Sequence, residues 1–271
     1  MMLPNNLGGN IVRGLAWAGV LFLVVPLLVV IPVSFTPERY LSFPADGLSL
    51  RHYETLFSHR RWSGGMAMSL IIAAASSALA VVLGTLCATG MWRIGGRKMQ
   101  LLKLMILAPL IVPSIVHALA FYRTWIDLGW LDTMWGVIVA HTTICVPLVM
   151  ITVSASLASF DPRLEQAARS MGARPVTVLR RIILPNIVPG VVAGAVFSFI
   201  TSWDEIIVVL FITARKVQTL PQVIWSSIME RVDPAVAAVS TVMILITVVI
   251  VFCHVALGTR QKGSRQQLSG N

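Results

Sequence analysis

Six stretches of Leu, Val, Ile and Ala, near residues 13–33, 66–90, 101–125, 135–158, 188–212 and 236–258, leave this chain few ways to fold. Each is close to the roughly twenty residues an α-helix needs to cross about 30 Å of hydrocarbon. None shows sustained alternation of polar and apolar residues, which excludes barrel strands. Composition agrees: 56% of residues are hydrophobic and 12% charged, where a soluble domain carries about a quarter charged. The expected class is all-α integral membrane, with Pro26, Pro109, Pro113 and Pro147 tolerated inside spans by packed neighbours. The first stretch follows Arg13 and lacks a small-residue cleavage site, so it reads as a retained span.

The formal charge of +10 invites a nucleic-acid reading until it is mapped. Arg13, the 93–103 cluster, the arginines of 163–181 and the basic residues of the tail fall on one side of the six spans. Only Asp161 and Glu165 accompany them there. On the other side, basic and acidic residues nearly balance. Lys and Arg favour the cytoplasmic face, so both termini and the 160–187 loop are expected in the cytoplasm. The charge is a topology signal and implies no nucleic-acid partner. The expected layout is a cytoplasmic segment 1–12, a six-span domain 13–258 and a polar, disordered tail 259–271. Within the outer loop 34–65, the stretch LSLRHYETLF is long enough for a short helix on the membrane.

The chain has no phosphate loop, no H-E-x-x-H, no C-x-x-C and no serine nucleophile elbow. Cys87, Cys145 and Cys253 lie singly in apolar runs, which fits neither a disulfide framework nor a zinc site. His117 and His141, inside spans, read as side chains bonded to a neighbouring helix's backbone, with a relay or ligand role as the alternative. Nothing suggests catalysis by this chain.

The one strong interruption of the apolar pattern is EQAARSMGARPVTVLRRIILP, residues 165–185. Asp161-Pro162 is a helix start, with Asp as N-cap and Pro in the first turn. Leu164, Ala167, Ala168 and Met171 then fall on one apolar face. Glu165 and Arg169 form an i, i+4 pair on another. Gly172 permits the left-handed residue that ends the helix. Pro175 opens a second short helix carrying Val176, Leu179 and Ile183, and Pro185 and Pro189 bracket the return to the bilayer. Such a hairpin either lies on anionic headgroups or docks on a partner. The small Ala167-Ala168 pair favours docking, because close helix approach needs small side chains.

The loop resembles the cytoplasmic signature of binding-protein-dependent ABC importer permeases, E-A-A-x-x-x-G-x₉-I-x-L-P. Ala167, Ala168, Gly172, Ile182, Leu184 and Pro185 stand at matching spacing. Gln166 occupies the motif's glutamate position, with Glu165 one residue earlier, so that place itself carries no formal charge. The resemblance covers residues 13–258 and implies the type I importer permease fold. It assigns Glu165, Gln166, Ala167, Ala168, Met171, Gly172, Leu184 and Pro185 to a coupling helix that seats on an ATPase. It also implies a second homologous permease, two ATPase subunits and a periplasmic substrate-binding protein, in a bacterial inner membrane. No cofactor is implied in this chain; ATP and Mg belong to the ATPase subunits.

Downstream, Asp204-Glu205, Thr219-Leu220-Pro221 and Asp233-Pro234 resemble the spermidine/putrescine permease subfamily. Permeases for aminoethylphosphonate, small amino acids and other amines look similar. An ionised carboxylate facing lipid costs several kcal/mol, so Asp204 and Glu205 face either a translocation path for an amine or a structural partner such as Arg123 or Arg215. Trp203 beside them is either a cation–π contact or an interfacial anchor. Gly190 and Gly194 form a G-x-x-x-G suited to tight helix packing. The rival class is a gradient-driven secondary transporter using Asp204, Glu205 or His117 for proton coupling.

Overall fold

The computed structural model describes residues 7–230, 233–249 and 252, and among them the regular elements are helical, with no strand. In order they are α1 (Leu7–Val33), α2 (Arg51–Ser58), α3 (Arg60–Ile94), α4 (Gly96–Leu107), α5 (Ser114–Leu128), α6 (Met134–Ala158), α7 (Pro162–Ser170), α8 (Pro175–Val178), α9 (Leu184–Asp204), α10 (Ile207–Ile212), α11 (Leu220–Glu230) and α12 (Ala235–Val249). Among the described residues, four helices are long and apolar enough to cross a membrane, or five if the bent pair α4–α5 is one span.

Two predicted spans are broken where the sequence alone suggested continuity. The third is not one helix: α4 gives way to a 3-10 turn at Ala108–Leu110, and the two halves meet at 99°. Pro113 supplies no N–H and drives the residue before it out of helical geometry, so α5 starts afresh after it. The fifth stops at Asp204, and Glu205 turns extended (ψ 116°) before α10 resumes the apolar run.

The second short helix of the 160–187 loop is not separate either. α8 runs through a π-helical stretch, Leu179–Ile183, directly into α9, giving an unbroken rod from Pro175 to Asp204. A wider turn here takes up the missing N–H and ring bulk of Pro185. The sixth predicted span is described as α12. Its remaining positions, Phe252 apart, lie outside the described residues, as do the tail 259–271 and Cys253.

The chain divides into two compact units, 1–63 with 224–246 and 64–223 with 247–271. In the first, α1 buries none of its most apolar 18-residue window within the chain, as suits a helix solvated by lipid. The outer loop does carry a short helix, α2, with His52 and Leu56 buried. It is pinned by a bond between His52 Nε2 and the Glu38 carbonyl at 3.0 Å, and by the hydroxyls of Ser34 and Tyr53 at 2.7 Å.

The second unit is organised around α6, the most buried of the long helices. A Cβ on Gly190 would lie 2.5 Å from the Thr152 carbonyl oxygen and 2.4 Å from Ser156 Oγ; one on Gly194 would lie 3.0 Å from Val149 Cα. The G-x-x-x-G is therefore the surface on which α9 approaches the α6 backbone. From α3, Gly84 makes the same approach, its Cβ position 2.7 Å from Val149 Cβ.

Candidate functional site

The loop after α6 is built as its residues require. Asp161 accepts the Arg163 N–H at 2.9 Å and Pro162 fills the first turn of α7. Gly172 takes φ +82°, and a side chain there would meet nothing within 4 Å. Its constraint is thus conformational rather than spatial. The Ala173 N–H returns to the Ala168 carbonyl at 3.0 Å and closes the end of α7.

The expected apolar face divides in two. Ala168 is 4% exposed and packs with Leu157, Phe160, Val178, Ile183 and Ile187 in the unit's own core, with half-buried Leu184 against them. Leu164, Ala167 and Met171 remain on the surface, Met171 at 82% exposure. Gln166, Gly172 and Pro185 are exposed as well. Ala168 is small because it is buried, which helical periodicity alone does not distinguish from a docking face.

Glu165 does more than pair with Arg169. Its Oε1 accepts from Arg169 Nη2 at 2.7 Å and from Arg93 Nη2, at the end of α3, at 3.2 Å. The carboxylate is only 12% exposed. Arg93 stands 72 positions away, so no local spacing rule reaches it. Gln166 lines a surface groove with Trp92, Arg93, Pro162, Glu165 and Arg169.

The second candidate cluster lies at the α9–α10 break. Trp203 is buried and stacks on Phe199 with ring centroids 6.0 Å apart, so it is not an interfacial anchor. Asp204 is exposed at the last helical position. Glu205 is half-buried, and its Oε1 accepts the Val208 N–H at 3.0 Å, capping α10. Neither acid holds the arginines considered above. Arg123 pairs with Asp127 at 3.3 Å, and Arg215 directs its backbone N–H to Asp132.

Two polar features escaped the sequence. Asp132, at φ 54°, collects the backbone N–H groups of Ala214, Arg215, Lys216 and Val217 at 3.0–3.2 Å. Burial pushes its carboxyl pKa up, but those four donors outweigh burial and bring it down to about 2. The carboxylate therefore anchors the loop between α10 and α11. Because the folded value is depressed, this contribution is complete above the ordinary pKa of about 4 and is lost as pH falls toward 2. Asp132→Ala is expected to lower stability by about 2–3 kcal/mol at neutral pH, with the deficit shrinking in acid. Thermal unfolding of the purified protein across pH 2–7 reads it; a pH-independent deficit would contradict the assignment. Only a strained, non-glycine backbone marks the site, and that is invisible in sequence.

The other feature is a buried chain of side chains. His141 Nδ1 lies 2.8 Å from Ser202 Oγ, and Ser202 Oγ lies 2.8 Å from Ser76 Oγ. His141 thus bonds Ser202 of a neighbouring helix, through its hydroxyl as well as its backbone. His117 on α5 is half-buried and makes no such bond. Among the described residues no group of three or more His, Cys, Asp or Glu is placed to hold a metal ion.

Residues 80–263 match the family described as binding-protein-dependent transport system inner membrane component. The chain is 33% identical over 230 residues to the spermidine/putrescine transport system permease protein PotC of Haemophilus influenzae, covering 85% of this chain and 89% of that one. This chain belongs to that permease family. It is an ABC importer permease subunit. The permease is also 30% identical to the putrescine transport system permease protein PotI of Escherichia coli, over 83% of each chain. A chain of a bacterial ABC transporter involved in import of the acidic polysaccharide alginate shares its fold, with TM-score 0.72 and 16% identity over 94% of this permease and 98% of that chain.

Proposed function

We propose that this permease forms half of the translocation path for a polyamine, moved across a bacterial inner membrane by ATP hydrolysed in partner subunits. The observation that carries the substrate class is the identity to PotC across 89% of its length. In this reading the chain has six spans within 13–258, counting α4–α5 as one and α12 as the last, and both termini are cytoplasmic. The loop 160–187 is the coupling element: Gln166, Ala167, Met171, Gly172 and Pro185 form its exposed surface, Glu165 braces it through its ion pairs, and buried Ala168 with half-buried Leu184 hold it to the core. It couples to one of two ATPase subunits, which bind ATP and Mg and hydrolyse the nucleotide. A second homologous permease completes the path, and a periplasmic binding protein delivers substrate. Arg93 adds a mechanical link, since Glu165 ties α7 to the end of α3.

Asp204, Glu205 and Trp203 are assigned to the path. Asp204 supports this by being exposed within the chain and free of ion pairing to Arg123 or Arg215. Buried Trp203 shapes the wall rather than offering a face to a cation. A second reading, transport of an aminoethylphosphonate, is favoured by a 25% identity across 98% of this chain to the putative 2-aminoethylphosphonate transport system permease protein PhnU of Salmonella paratyphi A.

The test is uptake by the assembled transporter in proteoliposomes, comparing putrescine, spermidine and 2-aminoethylphosphonate with ATP inside. ATP-dependent uptake of the first two supports the polyamine reading. Uptake of the phosphonate alone replaces it, and uptake without ATP, driven by a proton gradient, removes the class. Asp204→Asn is expected to cut polyamine uptake by about ten-fold, as loss of one charge-assisted contact does. Glu205→Gln keeps a side-chain oxygen that can accept the Val208 N–H, so a loss of uptake there reports the charge rather than the α10 cap. Substrate affinity of the binding protein should not move.

A further inference from the structure

The buried hydrogen bonds around Ser202 fix the proton on His141. Ser76 Oγ lies 2.6 Å from the Ile72 carbonyl oxygen, which can only accept, so the single Ser76 hydroxyl proton goes there. Ser76 must then accept from Ser202, 2.8 Å away. Ser202, having given its proton, accepts from His141, so Nδ1 carries the ring hydrogen. A neutral imidazole so oriented presents Nε2 as a bare lone pair.

That lone pair is an orphan. His141 is 1% exposed and its Nε2 has no hydrogen-bond partner. It shares a small pocket with Ile144, Cys145, Thr201, Ser202 and Glu205. The pocket is too narrow for a water molecule, so solvent does not satisfy the nitrogen. Cys145 is no donor to it, since its Sγ–H is directed to the Ser198 carbonyl at 3.3 Å. A buried acceptor left unsatisfied is destabilising. The same pocket is lined by Glu205, at the point where α9 breaks.

We propose that His141 Nε2 and the Glu205 carboxylate form a subsite for a primary ammonium group, available when the Glu205–Ile206 break opens. The lone pair and the Glu205 carboxylate line one pocket, and together they are complementary to a cation bearing several N–H groups. A metal ion would want more ligands than the pocket supplies, and an anion would be repelled by the Glu205 carboxylate. The extended Glu205 backbone is the natural hinge, because it joins α9 to the six-residue α10 without a helical hydrogen bond. An entering ammonium relieves the orphan nitrogen and so favours the open break, linking recognition to movement. This subsite rests on the polyamine reading.

The two ring nitrogens can be separated by substitution in the assembled transporter. His141→Asn retains a donor near Nδ1 and can keep the Ser202 bond, but it has no acceptor at Nε2. His141→Gln can place its amide oxygen near Nε2. Putrescine uptake in proteoliposomes is expected to fall by about ten-fold or more in His141→Asn, and to be restored at least in part by His141→Gln. Wild-type rates in His141→Asn, or equal losses in both variants, would overturn the subsite and leave the ring as scaffold. A variant-free comparison covers the case in which either protein fails to assemble. The wild-type transporter should move a quaternary diammonium of matched charge, which has no N–H, about ten-fold more slowly than putrescine at equal occupancy of the binding protein. Equal rates overturn the proposal. Failure of the wild type to transport putrescine at all would instead refute the polyamine reading itself.

Discussion

Gly190→Leu is expected to keep the second unit from folding. The glycine Cβ position lies 2.5 Å from the Thr152 carbonyl oxygen, a backbone atom that cannot rotate away. A leucine there must push α9 off α6, along the seam that carries Gly194 and the buried Val149, Val153 and Ile187. Overpacking by a few methylenes costs about 1–3 kcal/mol even where side chains can adjust. With backbone in the way the loss should exceed this and consume much of a typical stability of about 5–15 kcal/mol. Folded fraction after membrane extraction, followed by size-exclusion and thermal unfolding, measures it. Gly64→Ala, where nothing lies within 4 Å, is the control and should be neutral or slightly stabilising. A normal folded fraction for Gly190→Leu would mean that the α6–α9 approach is not that close.

Met171→Asp is expected to do the opposite, leaving the permease folded and the transporter idle. Met171 is 82% exposed and lies one residue before the left-handed Gly172, so its side chain supports nothing within the chain. If α7 seats on an ATPase subunit, a charge at that tip meets an apolar contact. Loss of a contact worth about 2 kcal/mol or more corresponds to roughly 30-fold or greater weakening. Uptake should collapse, the ATPase subunits should separate more readily from the membrane part, and thermal stability of the permease alone should hold. Gly172→Val is a companion, since a β-branched residue at φ +82° is strained whatever space surrounds it. Ala168→Trp belongs with Gly190→Leu instead, because Ala168 is packed in the core. Undiminished uptake in Met171→Asp would remove the coupling assignment from this loop.

These contrasts mark what the sequence by itself determined. Local chemistry was legible: Asp161-Pro162 starts α7, Gly172 takes a positive φ, and long apolar runs become helices suited to a bilayer. Each depends on a few neighbouring residues. The family was legible as well, through the spacing of Ala167, Ala168, Gly172, Ile182, Leu184 and Pro185. The tertiary structure decided whatever depends on distant partners. Ala168 turned inward while Ala167 stayed out, because the core formed by Leu157, Val178 and Ile183 lies on one side of α7 only. Pro113 broke a span that Pro147 did not, although both sit in apolar runs. Arg93 reached Glu165 across 72 positions, and Asp132 found four N–H donors more than 80 positions away. His141 acquired its tautomer from serines on two other helices. Hydrogen-bond partners of this kind are set by which backbones come together, and a linear sequence does not encode that in any local spacing.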